Sequence, residues 1–119
     1  MGHAAAKVTL YSPDMSNSRK LELPVDTDST YTWVSGGLLE ELGLEARTTR
    51  RFKTVDGRPL ERRVGEAVIE YMGERATRMV VFATEKDAEA LGLDALEGLG
   101  LEVDPITKQL KKAEALLAL

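Results

Sequence analysis

Two ten-residue stretches of this chain match at six positions when one is laid on the other at an offset of 57, close to half of its 119 residues. GLLEELGLEA (37–46) and DALEGLGLEV (94–103) share Leu39/Leu96, Glu40/Glu97, Leu42/Leu99, Gly43/Gly100, Leu44/Leu101 and Glu45/Glu102. Each stretch puts its leucines on one helical face and stops at a glycine, the residue that most easily takes the left-handed conformation ending a helix. The spacing predicts short helices over Gly37 to Leu42 and Asp94 to Leu99. The offset predicts an internal two-fold repeat, each half built from strands, a turn, further strands and one short helix.

Alternation supplies the strands. Lys7 to Tyr11 and then Leu21, Leu23 and Val25 alternate around the turn-forming run Ser12 to Ser18, which predicts a hairpin over residues 7–25. Arg51 to Val55 and Arg58 to Val64 flank Asp56-Gly57, a dipeptide that accepts positive φ at little cost and so predicts a second hairpin, with Pro59 at an edge. Ala67 to Met72 and Arg78 to Ala83 read as two more strands around a turn at Gly73-Glu74. RMVVFA (78–83) is nearly continuous in apolar residues, and is the expected most buried strand. The chain therefore reads as all-β in class, mainly β with two short helices.

Composition narrows the chemistry. Hydrophobic residues are 43% and charged residues 30% of the chain, the balance of a folded globular domain. A single domain over 1–119 is expected, with 1–6 frayed. No apolar run reaches the roughly 20 residues of a membrane helix, and Met1 to Ala6 lacks the pattern of a signal peptide, so a cytoplasmic protein with no membrane partner is expected. The chain has no cysteine and one histidine, His3. Disulfides, thiolate metal sites, Cys nucleophiles and two-His metal sites are thereby excluded. A Ser-His-Asp triad is not expected, because it needs an interior imidazole and His3 lies in the terminus expected to fray. Catalysis, if any, rests on carboxylates, hydroxyls, lysines or backbone groups. The net charge of -4 gives no reason to expect a nucleic-acid partner. Its distribution is uneven, with seven basic residues between Arg47 and Arg63 against Asp56 and Glu61. This segment reads either as a hairpin edge guarded by charge or as a basic cover over an acidic site.

The repeat offset isolates one carboxylate. Shifted by 57, LELPVDTD (21–28) falls on RMVVFATE (78–85), strand on strand, and Asp26 falls on Ala83. An Asp at the end of an apolar strand, followed by Thr27, Ser29 and Thr30, is by itself most simply an Asx or Ser/Thr turn. The longer run Val25-Asp26-Thr27-Asp28-Ser29-Thr30-Tyr31-Thr32-Trp33-Val34 resembles the active-site loop of aspartic proteases, an apolar residue and Asp-Thr-Gly followed by Ser, Thr or Ala, with Trp-Val beyond it in the pepsin branch. Leu91-Gly92 looks like the apolar-Gly pair before that family's second-half helix, and ALEGLGLEVDPITKQL (95–110) looks like the end of small prokaryotic retropepsin-like domains. The resemblance spans nearly all of Lys7 to Leu110.

What it implies is a retropepsin-like acid protease barrel with half an enzyme per chain. Two chains would pair as a homodimer, each giving Asp26 to a shared site that hydrolyses a peptide or protein substrate without metal or other cofactor. By the same resemblance Thr27 braces the two loops, Ser29 hydrogen-bonds near the carboxylate, and Asp56 and Gly57 form the tip of a flap. Asp28 departs from the family, which has glycine there. The alternatives it raises are a non-catalytic dimerisation or peptide-binding module of the same fold, and an acid-lined site for divalent cations. Lys111 to Leu119 has helix-forming composition, and its leucines are expected to pack on the chain's own core or on a partner.

Overall fold

The computed structural model describes residues 4–114, and the chain is built on a six-stranded sheet with a separate two-stranded one. The first hairpin pairs β1 (Ala5–Tyr11) with β2 (Ser18–Pro24) in the register Val8 to Leu21. Ala6, Val8 and Leu10 alternate into the core, as the period-2 pattern requires. The expected fraying of 1–6 holds neither for Ala5 nor for Ala6: both lie in β1, Ala6 is buried, and the Ala4 carbonyl accepts from Val25 N at 2.7 Å. Pairing with Leu23 and Pro24 removes the freedom a terminus usually keeps. Residues 1–3, His3 among them, lie outside the described range.

After β3 (Thr32–Ser35) and α1 (Gly36–Glu41), the chain enters the second hairpin, β4 (Thr48–Lys53) and β5 (Pro59–Tyr71). The two strands expected at 58–64 and 67–72 are in fact the single thirteen-residue β5. Gly65 is a crossing point and not a break: a Cβ there would stand 2.9 Å from the Glu45 carbonyl oxygen, where the chain arriving from α1 passes over the strand. Beyond it β5 pairs with β1 and with β6 (Glu74–Ala83). The turn into β6 centres on Met72-Gly73, both at positive φ, one residue earlier than expected. β6 lies between β5 and β3, and Val80 to Ala83 are all buried, so the RMVVFA run is the interior strand its composition indicates.

The repeat is geometric as well as sequential. α2 (Leu93–Gly98) stands at the same offset of 57 from α1, and the glycines that stop the two helices, Gly43 and Gly100, both have positive φ. β3, a four-residue strand too short for alternation to reveal, runs parallel to β6 with Val34 opposite Phe82. Val25 makes a parallel bridge to Leu91. The same offset carries Val25 onto Phe82 and Val34 onto Leu91, so the two parallel crossings exchange under the repeat. Leucines of both helices join Val25, Val34, Phe82 and Leu91 in one core.

Beyond α2, β7 (Leu101–Val103) pairs with β8 (Leu110–Lys112). The turn between them is held by Asp104, which accepts from Ile106 N and Thr107 N and sits 3.2 Å from Lys111 Nζ. Leu110 to Lys112 are therefore strand, contrary to the helix-forming composition of the last residues, because a pairing partner overrides propensity over so short a stretch. Leu116, Leu117 and Leu119 lie outside the described range. Among the described residues no helix is long and apolar enough to cross a membrane.

Candidate active site

Asp26 stands where the chain leaves the first parallel crossing. Its backbone N–H donates to the Leu91 carbonyl at 3.1 Å, the last such bond before the chain turns away. Ser29 N then closes a turn onto the Asp26 carbonyl at 3.1 Å, and Asp28 N donates to Asp26 Oδ1 at 2.9 Å. This is the Asx turn that residue types alone indicate, with the carboxylate half-buried and its Oδ1 held by the loop. Thr27 and Asp28 are exposed on the turn. Asp28 does not have positive φ, so a side chain costs no backbone strain where the family pattern has glycine. Ser29 Oγ donates to the Tyr31 carbonyl at 2.8 Å, not to the carboxylate, so within one chain it shapes the loop's exit.

The far end of the loop is fixed by α2. Gly92 N donates to Thr32 Oγ1 at 3.0 Å, Leu93 N to the Ser29 carbonyl at 2.8 Å and Asp94 N to the Thr30 carbonyl at 2.8 Å. The free N–H groups that open a helix thus find their acceptors in the loop that carries Asp26. Contact is so close that a Cβ on Gly92 would stand 2.2 Å from the Tyr31 carbonyl oxygen. Thr32 is buried, and its hydroxyl is satisfied by this contact alone among the described residues. Residue types pointed to Leu91-Gly92 but not to Thr32, whose role depends on a partner 60 positions away.

A cleft of about 610 Å³ lies between this loop and the β4–β5 hairpin. Asp26, Asp28 and Trp33 line one side, Phe52, Val55 and Leu60 the other. The Phe52 ring stands 5.2 Å from Trp33 and 6.2 Å from Tyr31, while Arg50 lies over the Tyr31 ring and donates to its hydroxyl at 3.2 Å. Period-2 reading places Phe52 in a strand but does not show that it rests on the Asp26 loop. Gly57, at positive φ, makes the hairpin tip with Asp56, whose carboxylate accepts from Thr54 Oγ1 and pairs with Arg58. Those contacts hold Asp56 below the usual carboxylate range, the Thr54 hydroxyl contributing most. Asp56 and Gly57 sit beyond the cleft lining, and Val55 beside them is fully exposed.

The basic segment divides. Arg47 pairs with Glu66, Arg58 with Asp56, Arg62 with Asp87 and Arg63 with Glu40, so much of its charge is answered within the chain. The Arg62 pair is the most buried of the four, 19% and 11% exposed at its two side chains, and it is two-pronged, Nε to Oδ2 at 2.6 Å and Nη2 to Oδ1 at 2.9 Å. Arg62 and the Thr84 N–H and hydroxyl hold the Asp87 carboxyl down at about 2.

Among the described residues no group of three or more His, Cys, Asp or Glu side chains is gathered so as to hold a metal ion. No family model matches the chain, and no curated protein matches it.

Proposed function

We propose that this chain is one half of an aspartic endopeptidase of the retropepsin type, active as a homodimer with Asp26 of each chain at the shared site. The observation that carries the reading is the pair of exchanging parallel crossings, Val25 with Leu91 and Val34 with Phe82, with a carboxylate at the exit of only one. A fold repeated within the chain and carrying a single acid supplies half of a dyad, and a second copy supplies the rest. The cleft that Asp26 lines is bounded by the β4–β5 hairpin, whose strands offer an extended peptide a neighbour to lie along.

Two carboxylates about 3 Å apart cannot both ionise, so one keeps its proton. The ionised Asp26 takes a proton from a water, which attacks the scissile carbonyl carbon. The protonated Asp26 of the second chain donates to the carbonyl oxygen as it becomes a hydroxyl. The first Asp26 then returns its proton to the amide nitrogen while the second takes one from a hydroxyl of the tetrahedral intermediate. The C–N bond breaks to leave an amine and a carboxylic acid, and the pair again holds one proton. Thr27, exposed at the turn, is the residue that meets its counterpart across the axis. Trp33, Phe52 and Leu60 give the cleft its apolar wall for substrate side chains.

Asp28 supports a second reading, a peptide-binding module of the same fold without catalysis, since it brings a further exposed carboxylate into the cleft that Asp26 lines. The test is cleavage of a mixed peptide library between pH 4 and pH 7. Hydrolysis that rises as pH falls and is lost in Asp26→Asn supports the protease. Peptide binding without hydrolysis supports the second reading, and hydrolysis that survives in Asp26→Asn refutes both.

A further inference from the structure

Above the ladder that β5 shares with β6 from Val64 on, and the exposed Arg63–Glu40 pair at its base, the β4–β5 hairpin meets the body of the molecule at two places along the cleft it covers. One is aromatic, the Phe52 ring on Trp33 and Tyr31, with Arg50 over the Tyr31 ring and donating to its hydroxyl at 3.2 Å. The other is the two-pronged Arg62–Asp87 pair. Arg62 lies in β5 opposite Arg50 of β4, inside the ladder of the hairpin. Asp87 belongs to the turn after β6, and Thr84 donates to the same carboxylate through N–H at 2.8 Å and hydroxyl at 3.0 Å. From that turn the chain runs through Ala88 and Glu89 to Ala90, which exchanges both backbone hydrogen bonds with Trp33 at 2.9 and 3.0 Å. The two anchors are thus joined through the cleft floor. Beyond them the β4–β5 ladder ends at Lys53 and Pro59, and, among the described residues, 54–58 make hydrogen bonds and ion pairs only within their own turn.

We propose that Arg62 and Asp87 are the positioning pair of the flap: they pin the hairpin stem to the 84–90 turn, so that only residues 54–58 lift to admit a chain. The inference rests on reading the hairpin as a flap. A guanidinium locked to a carboxylate at two points, both mostly out of water, is rigid in direction as well as distance, which a single-point pair is not. Phe52 and the exposed single-point Arg50–Tyr31 bond fix the stem's height over Trp33 but resist sliding less than a two-pronged pair does. With the pair intact the cleft width is preset, and little ordering remains to be done when substrate binds. Without it, binding must also order the stem, so the loss falls on KM and leaves the chemistry at Asp26 unchanged.

Trp33 is the chain's single tryptophan, and its emission reads stem seating without any need for activity. In the wild-type chain, hydrogen exchange of the amides bonded between β4 and β5 is expected to be at least about ten-fold slower than that of residues 54–58. In Asp87→Asn those ladder amides speed up about ten-fold or more, Trp33 emission moves to the red, and KM rises several-fold with kcat within about two-fold. Arg62→Lys, which keeps the charge and loses the fork, falls between. Wild-type ladder amides exchanging as fast as the tip would overturn the proposal with no variant needed. So would Asp87→Asn with unchanged exchange and emission, or an Asp87→Asn loss confined to kcat. A chain that cleaves no peptide yet shows the loosened stem would refute the protease reading and leave the anchor standing.

Discussion

Replacing Gly92 by alanine adds one methyl group and should be among the most damaging changes this chain can take. Gly92 has φ of -89°, which alanine adopts freely, so backbone strain plays no part. The added Cβ would meet Tyr31 O at 2.2 Å, Tyr31 C at 2.5 Å and Ser29 O at 2.9 Å, all backbone atoms that no rotamer change can move. The loop or α2 must withdraw, and with it go the bonds from Gly92 N to Thr32 Oγ1, from Leu93 N to Ser29 O and from Asp94 N to Thr30 O. Three hydrogen bonds at about 1 kcal/mol each, with overpacking of about 1 kcal/mol or more, give a loss of about 4 kcal/mol. Gly37→Ala is the control: it lies in α1, its Cβ would find only Ser35 Oγ at 3.7 Å, and it should gain about 0.5–1 kcal/mol. Urea unfolding of both variants, compared at constant m, measures the difference. A Gly92→Ala chain within about 1 kcal/mol of wild type would refute the view that α2 clamps the Asp26 loop.

Thr32→Val keeps the shape of the side chain and leaves the buried Gly92 N–H without an acceptor, for a loss of about 1–3 kcal/mol in the same urea assay. Asp87, held at about 2 against an ordinary 3.8, is more acidic folded than unfolded, so its stabilisation is complete above about pH 4 and disappears as pH falls toward 2. Asp87→Asn should therefore flatten the fall of stability across that window by on the order of 2 kcal/mol, read from urea midpoints at pH 2 and pH 5. If the proposed dimer forms, Asp28→Gly removes two carboxylates from its shared site, and peptide cleavage at pH 5 should increase; unchanged or lower cleavage in a folded dimer would make Asp28 a working part of the site.

The fold was most legible where the signal is local. Gly43 and Gly100 mark their helix ends because only the left-handed region satisfies those carbonyls cheaply, and Asp56-Gly57 marks its hairpin for the same reason. β5 was cut in two because Gly65 looks the same in sequence whether it opens a turn or lets another segment cross. β3 and the β7–β8 pair, three or four residues each, are too short for a period to show. At the site, Asp26 stood out because the repeat sets it against Ala83. Thr32, Phe52 and the Arg62–Asp87 pair did not, since each takes its meaning from a partner at least 19 positions distant.

Whether two chains share one site is decided most directly by counting ligands. A peptide analogue with a hydroxyl in place of the scissile carbonyl mimics the tetrahedral species and should sit between the paired carboxylates. Titrated calorimetrically at pH 5, with mass followed by light scattering, it is expected to saturate at one analogue per two chains of a dimer, and to lose that binding in Asp26→Asn. Saturation at one analogue per chain, or binding by a monomer, would contradict the account.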